Sequence, residues 1–405
     1  MIAASALAIF LLGAGAGSEE QARPAARIAY LVTVGPGREI WERFGHNAIW
    51  IHDPGALPGR TDLAYDYGRF DFRAERFFLR FALGDMEYSM DTATVTRIVQ
   101  GYGARDRSVV IQQLSLTQDQ ITALQEALDA DVARVMSPGG WTYSYDYYLD
   151  NCSTRLRDVL DQVLGGAVHQ TLSSRATGTT FREHSLRSVT NNVGVYLGLD
   201  LLLGPDTDRP ISAWEAAFLP QELQRFLRVV TVAAGDSAGP LVVAEQEVVG
   251  ASRYEVPDQP PRWGRWFLLG GILLGGLMVH AATTGHRRLF FGLAGLWALI
   301  AAVAGLVLIA LWTVSTHRVA YGNANLFQVN LLGLVLLGLF PGMVRGGNRA
   351  LGAGRATAAM AAGVAVLGAV LSLSGLLAQP AGPVTAVAVP LWLGVALGLR
   401  RLSER

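Results

Sequence analysis

Five apolar stretches near the C-terminal end constrain the fold of this chain most. They cover approximately residues 264–282, 289–312, 326–343, 356–378 and 384–399. Each approaches the roughly 20 apolar residues that a helix needs to cross a bilayer. The sequence therefore predicts an α-helical membrane domain of about five spans over residues 263–405. The composition agrees, because 51% of all residues are hydrophobic and only 16% are charged.

The charge distribution predicts how these spans are oriented. The formal net charge is zero, but residues 1–261 contain 22 arginines and 32 acidic residues, whereas residues 262–405 contain 11 arginines and only one acidic residue, Glu404. Eight of those arginines follow the first, third or fifth span: Arg287, Arg288, Arg345, Arg349, Arg355, Arg400, Arg401 and Arg405. Because basic loops stay in the cytoplasm, the acidic N-terminal part is expected outside it. This charge pattern argues against a nucleic-acid partner.

The N-terminal part is expected to be an α+β domain. Residues 1–17 contain an apolar run that predicts either a secretory signal or an uncleaved N-terminal anchor. Residues 26–230 are predicted as the extracytoplasmic domain, and residues 231–262, with a Pro-Asp-Gln-Pro-Pro run, as a connector. Strands are predicted at residues 28–34, 47–51, 64–67 and 108–114. A capping box, Thr117 to Gln120, predicts one helix, and Asn151 begins another.

Cys152 is the candidate nucleophile. It is the only cysteine in the chain, so it cannot form an internal disulfide. Its place in a first helical turn favours a thiolate, because unpaired amide groups and the helix dipole stabilise negative charge there. A small buried side chain is the competing interpretation.

A nucleophilic cysteine needs a base, and His46 is the preferred candidate because it begins a predicted strand that can aim the imidazole at a helix-borne thiol. A surface histidine at a strand end is the alternative. A third group should orient the imidazole. Asp66 and Tyr67 are the candidates for that role, followed by Asn47.

Four motifs resemble one known family. They are Arg43-Phe44-Gly45-His46-Asn47-Ala48, Tyr65 to Phe72 (YDYGRFDF), Arg107 to Leu116 (RSVVIQQLSL) and the Tyr145 to Asp158 segment around Cys152. Together they resemble, in order, the periplasmic domain of the Lnb-type lipoprotein N-acyltransferase family, over roughly residues 26–230.

The resemblance implies a circularly permuted papain-like domain in which histidine precedes cysteine, as His46 and Cys152 do here. It implies an enzyme of the bacterial inner membrane with its catalytic domain on the periplasmic side. The implied reaction moves an acyl chain from a membrane phospholipid, through a Cys152 thioester, to the N-terminal amine of a diacylglyceryl-cysteine lipoprotein.

Further residues are expected to contact these substrates. Asn151 and Arg155 flank the cysteine, and Arg155 could hold a phosphate or stabilise the oxyanion. Near an outer span boundary lies a set of polar side chains, which also resembles a cluster of the family: His317, Asn323, Asn325 and Asn330. They could bind a headgroup, dock the catalytic domain, or simply cap helices.

Two other classes of function stay open. The same nucleophile could serve a cell-wall peptidase or a phospholipase with water as acceptor, although a peptidase needs no five-span domain. Alternatively, the protein is a non-catalytic membrane scaffold in which Cys152 is only packed. No metal site or cofactor is predicted, because the histidines lack ligand spacing.

Overall fold

The computed structural model describes residues 26–57, 60–71, 73, 75–234, 237–252 and 255–404. These residues form two compact units. The sheet unit contains the chain up to Phe81, Asp85–His184 and Pro210–Asp258; the helical unit contains Ala82–Gly84, Ser185–Arg209 and the chain from Gln259 onward. The predicted signal or anchor, residues 1–17, and Arg405 lie outside the described residues.

The sheet unit is built on one seven-stranded antiparallel sheet with strand order β11-β5-β1-β2-β3-β4-β6. The described strands are β1 (Ile28–Val34), β2 (His46–His52), β3 (Asp62–Arg69), β4 (Glu87–Thr94), β5 (Val109–Leu114), β6 (Tyr143–Ser144), β7 (Ala176–Thr180), β8 (Pro210–Ser212), β9 (Thr231–Ala234), β10 (Ser237–Pro240) and β11 (Val242–Val249). β1, β2, β3 and β5 lie where the sequence predicts strands.

Helices cover both faces of this sheet. The described helices up to residue 227 are α1 (Phe77–Leu83), α2 (Val95–Gly103), α3 (Gln118–Met136), α4 (Cys152–Val163), α5 (Ala167–Ser173), α6 (Phe181–Ser188), α7 (Val193–Leu202), α8 (Ala213–Ala216) and α9 (Pro220–Leu227). Val95, Ile98 and Val99 of α2 pack on the face that carries Val32 and Trp50. α3, α4 and α9 also pack against strands of the sheet. The predicted α+β class is therefore confirmed, and the capping box at Thr117 begins α3 as predicted.

The segment 231–262 differs from the predicted connector, because it contributes three strands. β9 and β10 form a hairpin, and β11 pairs with β5 as the edge strand of the main sheet. Without β11, one side of β5 would have unpaired backbone N–H and C=O groups, and such an edge favours addition of another strand. Val248 of β11 is buried in the same core as Val109 of β5.

The helical unit contains five long apolar helices, α10 (Gly264–Thr283), α11 (Arg287–Thr313), α12 (Leu332–Val344), α13 (Asn348–Leu373) and α14 (Pro383–Ser403). All five are long and apolar enough to cross a membrane, the third when counted from Ala324. Small residues let α10 and α14 approach closely: a Cβ on Gly275 would lie 2.4 Å from the carbonyl oxygen of Pro390. The predicted membrane domain of about five spans is confirmed.

Residues 185–209, which the sequence assigns to the extracytoplasmic domain, belong to the helical unit. The reason is that α7 is apolar except for Asp200 and its last carbonyl groups are hydrogen-bonded there. Asn323 donates to the carbonyl oxygens of Leu201, Leu202 and Leu203 at 2.8–3.2 Å. The side chain of Asp200 in turn accepts a hydrogen bond from the backbone N–H of Val384, in the first turn of α14.

Candidate functional site

Cys152 is the first residue of α4, and Asn151 holds the start of that helix in place. The Asn151 side-chain oxygen accepts from the backbone N–H groups of Ser153 and Thr154 at 2.8 and 3.0 Å. Its side-chain nitrogen donates to the carbonyl oxygens of Tyr147 and Phe218 at 2.9 and 3.1 Å. Asn151 is thus a buried helix cap whose polar atoms are used inside the protein, and the N–H of Cys152 is not among the groups that it caps.

His46 and Asp66 meet on one face of the sheet. β2 and β3 pair with Trp50 opposite Ala64, and this register places residues 46, 48 and 66 on the same face. The imidazole Nε2 of His46 lies 3.5 Å from Oδ2 of Asp66, which is long for a strong hydrogen bond and makes the contact chiefly electrostatic. The His46 side chain is 15% exposed and that of Asp66 only 2%.

Gly68 lets the cysteine come close to these two strands. A β-bulge interrupts the β3–β4 pairing between Tyr67 and Arg69, and Gly68 there has φ +92°. A Cβ on Gly68 would lie 3.3 Å from the Cβ of Cys152. Glycine is required at this position both for its backbone conformation and for the space that Cys152 needs.

The surroundings of His46 favour its protonated form. Burial by itself lowers the pKa of the imidazole, but Tyr102, Cys152 and Asp66 together outweigh burial and raise it well above the ordinary 6.5. Cys152 lies against Gly68 of β3, and β3 pairs with β2, the strand that begins at His46. An imidazole with a raised pKa is a stronger base toward a thiol, and once protonated it is a counter-charge for the sulfur.

Asp66 is held as a carboxylate. Burial raises the pKa of this carboxyl group, but hydrogen bonding and charge from His46 and Arg69 lower it below its ordinary 3.8. Arg69 donates to both Asp66 oxygens, from Nε at 2.7 Å and from a terminal nitrogen at 2.6 Å. Of the candidates for the orienting group, Asp66 is the one whose polar atoms face His46.

Tyr67 and Asn47 form hydrogen bonds with residues other than His46. The Tyr67 hydroxyl donates to Oδ2 of Asp131 on α3 at 2.6 Å, because residues 66 and 67 point to opposite faces of the strand. The Asn47 side-chain nitrogen donates to the hydroxyl oxygen of Thr33 at 2.9 Å. Both side chains are buried beside the site and connect the strands to their neighbours.

Aromatic rings lie near the thiol, and no pattern in the sequence predicts a role for them. Burial and the nearby Cys152 raise the pKa of Tyr88 to about 12, and those of Tyr143 and Tyr145 are also raised, first by burial and then by Cys152. The Tyr88 and Tyr145 rings stack with centroids 4.1 Å apart. These phenols stay neutral, so the rings next to the sulfur form a mostly apolar wall. Tyr88 comes from β4, a strand whose polar sequence gives no clear alternation signal.

Arg155 lies one helical turn after the cysteine. A terminal nitrogen donates to Oδ2 of Asp150 at 2.7 Å, and its guanidinium carbon lies 3.6 Å from the centroid of the Tyr143 ring. It therefore supplies positive charge at the aromatic wall while paired with a half-exposed carboxylate.

Gln221 is a second residue that sequence patterns did not reveal. It lies in the first turn of α9, and its side-chain nitrogen is buried with no hydrogen-bond partner among the described residues. A Cβ on Gly45, the residue before His46, would lie 2.7 Å from that nitrogen. A single glutamine 175 positions beyond His46 carries no spacing signal, so only the fold brings the two together.

The four polar residues predicted near the membrane lie in the helical unit. Asn323 and Asn325 bind carbonyl groups at the end of α7, and Asn325 donates to the carbonyl oxygen of Asp200 at 2.8 Å. Asn330 donates to the carbonyl oxygens of Phe327 and Ala361 at 3.1 and 3.4 Å. The backbone N–H of His317 donates to the hydroxyl oxygen of Ser315 at 3.2 Å. The side chains of the three asparagines thus donate hydrogen bonds to backbone carbonyl groups in this structure.

The fold and the site define a membrane protein whose mixed α/β domain brings a cysteine, a histidine and an aspartate together at one sheet. Residues 19–191 match the family model of the Lnb N-terminal periplasmic domain. This match and the five apolar helices indicate a membrane protein with a periplasmic domain, and the match suggests a role in lipoprotein processing. No curated protein and no solved structure compared with the chain gave a match.

Proposed function

We propose that this protein is a lipoprotein N-acyltransferase of the bacterial inner membrane. The observation that carries the proposal is the approach of Cys152, His46 and Asp66 in an Lnb-type domain. Such a group performs acyl transfer when the acyl donor is an ester, because a thiol attacks an ester carbonyl and a histidine carries the proton. The five apolar helices would hold the chain in the membrane that contains both lipid substrates.

In the first half of the reaction, the Cys152 sulfur attacks the carbonyl carbon of a phospholipid ester. His46 takes the thiol proton and then gives it to the leaving alkoxide oxygen. A carbon–sulfur bond forms, a carbon–oxygen bond breaks, and lysophospholipid leaves. Because Nε2 of His46 faces Asp66, the other ring nitrogen is left for the sulfur.

In the second half, the N-terminal amine of a diacylglyceryl-cysteine lipoprotein attacks the thioester. A carbon–nitrogen bond forms and the carbon–sulfur bond breaks. The amine proton returns through His46 to the sulfur, so the enzyme ends in its starting state.

Two donors are suited to the oxyanion of each tetrahedral intermediate. One is the backbone N–H of Cys152, because Asn151 caps the next two N–H groups and not this one. The other is the side-chain nitrogen of Gln221, which is buried without a partner among the described residues. Leaving such a group unpaired costs about 1–3 kcal/mol, and a developing oxyanion would recover that cost.

The aromatic wall supports transfer in preference to hydrolysis. Tyr143 is buried, Tyr88 and Tyr145 are half-buried, and the Tyr88 and Tyr145 rings stack 4.1 Å apart, so this side of the site offers apolar ring surface. Apolar surface of this kind accommodates an acyl chain and reduces the access of water to a thioester.

The experiment that tests the function is mass spectrometry of lipoprotein N-termini. Cells depleted of their own N-acyltransferase would carry the unmodified chain, Cys152→Ala, His46→Gln or His52→Gln. His52 is the matched control, because it lies on the same strand and pairs with Asp62 at 2.6 Å. We expect triacylated N-termini with the unmodified chain and His52→Gln only.

The same cells distinguish the competing functions. Lysophospholipid and free fatty acid without triacylated N-termini would identify a phospholipase. Cys152→Ala behaving as the unmodified chain would leave a scaffold without catalysis. Either result would overturn the proposed acyl transfer.

A further inference from the structure

A polar cavity of about 330 Å³ lies within the sheet unit, where β3 ends. We call it the β3 cavity. Its polar lining residues are Arg69, Asp71, Arg80, Glu87, Ser89 and Thr142. A single water occupies about 30 Å³ in the liquid, so the β3 cavity has room for a small organic group. Charged and hydroxyl side chains suit a polar group in that place, because an apolar one would leave them without partners.

Both arginines of the β3 cavity have a terminal nitrogen to spare. Arg69 uses Nε and Nη2 to hold Asp66, at 2.7 and 2.6 Å. Arg80 donates from Nε to the carbonyl oxygen of Asp85 at 3.1 Å, and its Nη2 lies 3.1 Å from Oε2 of Glu87. The Nη1 atoms of the two arginines make no hydrogen bond with the described residues. Guanidinium groups with such donors bind phosphate oxygens well.

The two carboxylates of the β3 cavity have an oxygen to spare in the same way. Oδ1 of Asp71 accepts from the backbone N–H of Arg73 at 2.8 Å, whereas Oδ2 accepts no hydrogen bond within the described part of the chain. Glu87 faces Arg80 through Oε2, which leaves Oε1, and its side chain is 53% exposed. An ammonium group donates hydrogen bonds to oxygens of this kind. The lining therefore offers two cationic donors and two anionic acceptors, and their formal charges cancel.

The β3 cavity adjoins the candidate catalytic residues. Arg69 holds the Asp66 carboxylate, and Asp66 lies 3.5 Å from the imidazole of His46. Gly68 directly precedes Arg69, and a Cβ on Gly68 would lie 3.3 Å from the Cβ of Cys152. Consecutive Cα atoms are only about 3.8 Å apart. The lining of the cavity thus begins next to the residue that Cys152 contacts.

Apolar rings continue from the β3 cavity on the side of the thiol. The ring of Phe70, which also lines the cavity, lies 5.1 Å from that of Tyr88. Tyr88 stacks on Tyr145 at 4.1 Å, in the apolar wall described above. A phospholipid has the same order of polarity, because a charged headgroup is followed by ester groups and then by apolar chains. The polar cavity and the ring surface beside it match that order.

We propose that the β3 cavity binds the zwitterionic headgroup of the phospholipid donor. The phosphate contacts Nη1 of Arg69 and Arg80, and the ammonium group contacts the unpaired oxygens of Asp71 and Glu87. Phosphatidylethanolamine carries both charges, whereas phosphatidylglycerol carries the phosphate and hydroxyl groups only. The role of this lipid as acyl donor rests on the proposed function, but the binding of its headgroup does not. A three-carbon glycerol backbone links the phosphate to the ester groups, so a headgroup held here keeps an ester near Cys152.

Headgroup selection is tested by native mass spectrometry of the full-length Cys152→Ala chain in detergent, with equal amounts of dihexanoyl-phosphatidylethanolamine and dihexanoyl-phosphatidylglycerol. One exposed ion pair changes an affinity by up to about fivefold, so we expect about a two- to fivefold preference for phosphatidylethanolamine. Glu87→Gln should reduce this preference. Glu75→Gln is the matched control and should keep it, because Glu75 is 89% exposed and does not line the cavity. Equal binding of the two lipids, or a preference unchanged in Glu87→Gln, would overturn the proposal.

The phosphate contact and the source of the headgroup are tested in the same preparation. Arg80→Gln should weaken the binding of both lipids, whereas Arg97→Gln should not, because Arg97 is exposed on α2 and does not line the cavity. Equal effects of the two substitutions would contradict the phosphate contact. Phosphoethanolamine is offered separately and should bind more weakly than the lipid, since it has no apolar chains to contact the rings. Equally tight binding would assign the cavity to a soluble ligand instead.

Donor choice is tested in chains that keep Cys152. Vesicles contain equal amounts of the two phospholipids, with deuterated acyl chains in phosphatidylethanolamine only, and mass spectrometry measures labelled against unlabelled acyl-enzyme. Because the ratio is measured within one sample, a partly inactive variant still reports it. We expect an excess of labelled acyl-enzyme that falls in Glu87→Gln and persists in Glu75→Gln. A ratio of one in the unmodified chain would overturn headgroup selection and leave the proposed function standing. If no acyl-enzyme forms while Cys152→Ala still selects phosphatidylethanolamine, the proposed function fails and the headgroup site stands.

Discussion

Replacing Asp66 with asparagine should lower the pKa of His46. The Asp66 carboxylate lies 3.5 Å from Nε2 and is almost fully buried, so it stabilises the imidazolium directly. Asparagine keeps the shape of the side chain but removes its charge, and it leaves the cationic Arg69 near the imidazole. Attraction is replaced by repulsion, and the protonated form becomes less favourable.

The magnitude follows from the distance. Two unit charges about 4 Å apart interact by about 4 kcal/mol at an effective dielectric constant of about 20. That value is an upper limit here, because Arg69 shares the same carboxylate at 2.6 Å and reduces its field at His46. About 1.4 kcal/mol moves a titration midpoint by one pH unit, so even about a third of the limit is easily measured.

The assay is NMR of the full chain with ¹³C-labelled histidine in detergent micelles, with the His46 signal assigned by its loss in His46→Gln. Arg69→Gln is the informative companion, because it leaves the Asp66 charge and removes the cation that competes for it. We expect the His46 midpoint to fall in Asp66→Asn and to rise in Arg69→Gln. Movement in the same direction, or no movement in Asp66→Asn, would refute the electrostatic account of this site.

Three further outcomes are expected for the purified chain, each measured as a thermal unfolding midpoint in detergent. His46→Gln should be most destabilising between pH 3.8 and 6.5, where both Asp66 and His46 are charged. The stability that the pair provides is lost as pH falls through the lowered pKa of Asp66, and it is lost as pH rises through the raised pKa of His46. A difference in midpoint that does not depend on pH would contradict this. Gly275→Ala should cost about 1–3 kcal/mol, since its Cβ would meet a backbone oxygen at 2.4 Å, whereas Gly276→Ala meets nothing within 4 Å and should be neutral; equal effects would argue against this helix packing. Asn323→Ala should cost about 1–3 kcal/mol, because the Leu202 carbonyl group loses its donor whereas those of Leu201 and Leu203 keep Asn325 and Gln379; an unchanged midpoint would show that the Leu202 carbonyl finds another donor.

The position of Cys152 could be predicted from the sequence because it depends on local signals. Asn151 followed by a helical apolar pattern identifies a capped helix start, and the structure has that cap. The five spans were predictable for a similar reason, since length and hydropathy are properties of the segment alone. Neither conclusion requires knowledge of what the segment packs against.

The partners of His46 could not be predicted in the same way. Asp66 and Tyr67 are neighbours on a strand, and adjacent residues face opposite sides, so a shift of register by one residue exchanges their roles. The register depends on pairing between β2 and β3 and on the bulge at Gly68. Those are non-local contacts, which a local pattern does not contain.

Strand β11 could not be predicted from its own sequence either, because it depends on a non-local contact. Its sequence, Val-Val-Ala-Glu-Gln-Glu-Val-Val, lies between prolines and reads as part of a polar connection. It becomes a strand because β5, more than a hundred residues earlier, presents an unpaired edge. The rings around the thiol are likewise assembled from distant segments, β4 and the loop before α4.

The assignment of residues 185–209 to the helical unit affects how this protein can be taken apart. The chain leaves the sheet unit after His184 and returns to it at Pro210, so no single cut separates the two units. A fragment ending before the first membrane helix would carry α7 without the asparagines that bind its last carbonyl groups. Such a fragment would expose an apolar helix and is expected to aggregate. Moving this domain to another membrane anchor would therefore require the transfer of α7 together with the residues of the anchor that bind it.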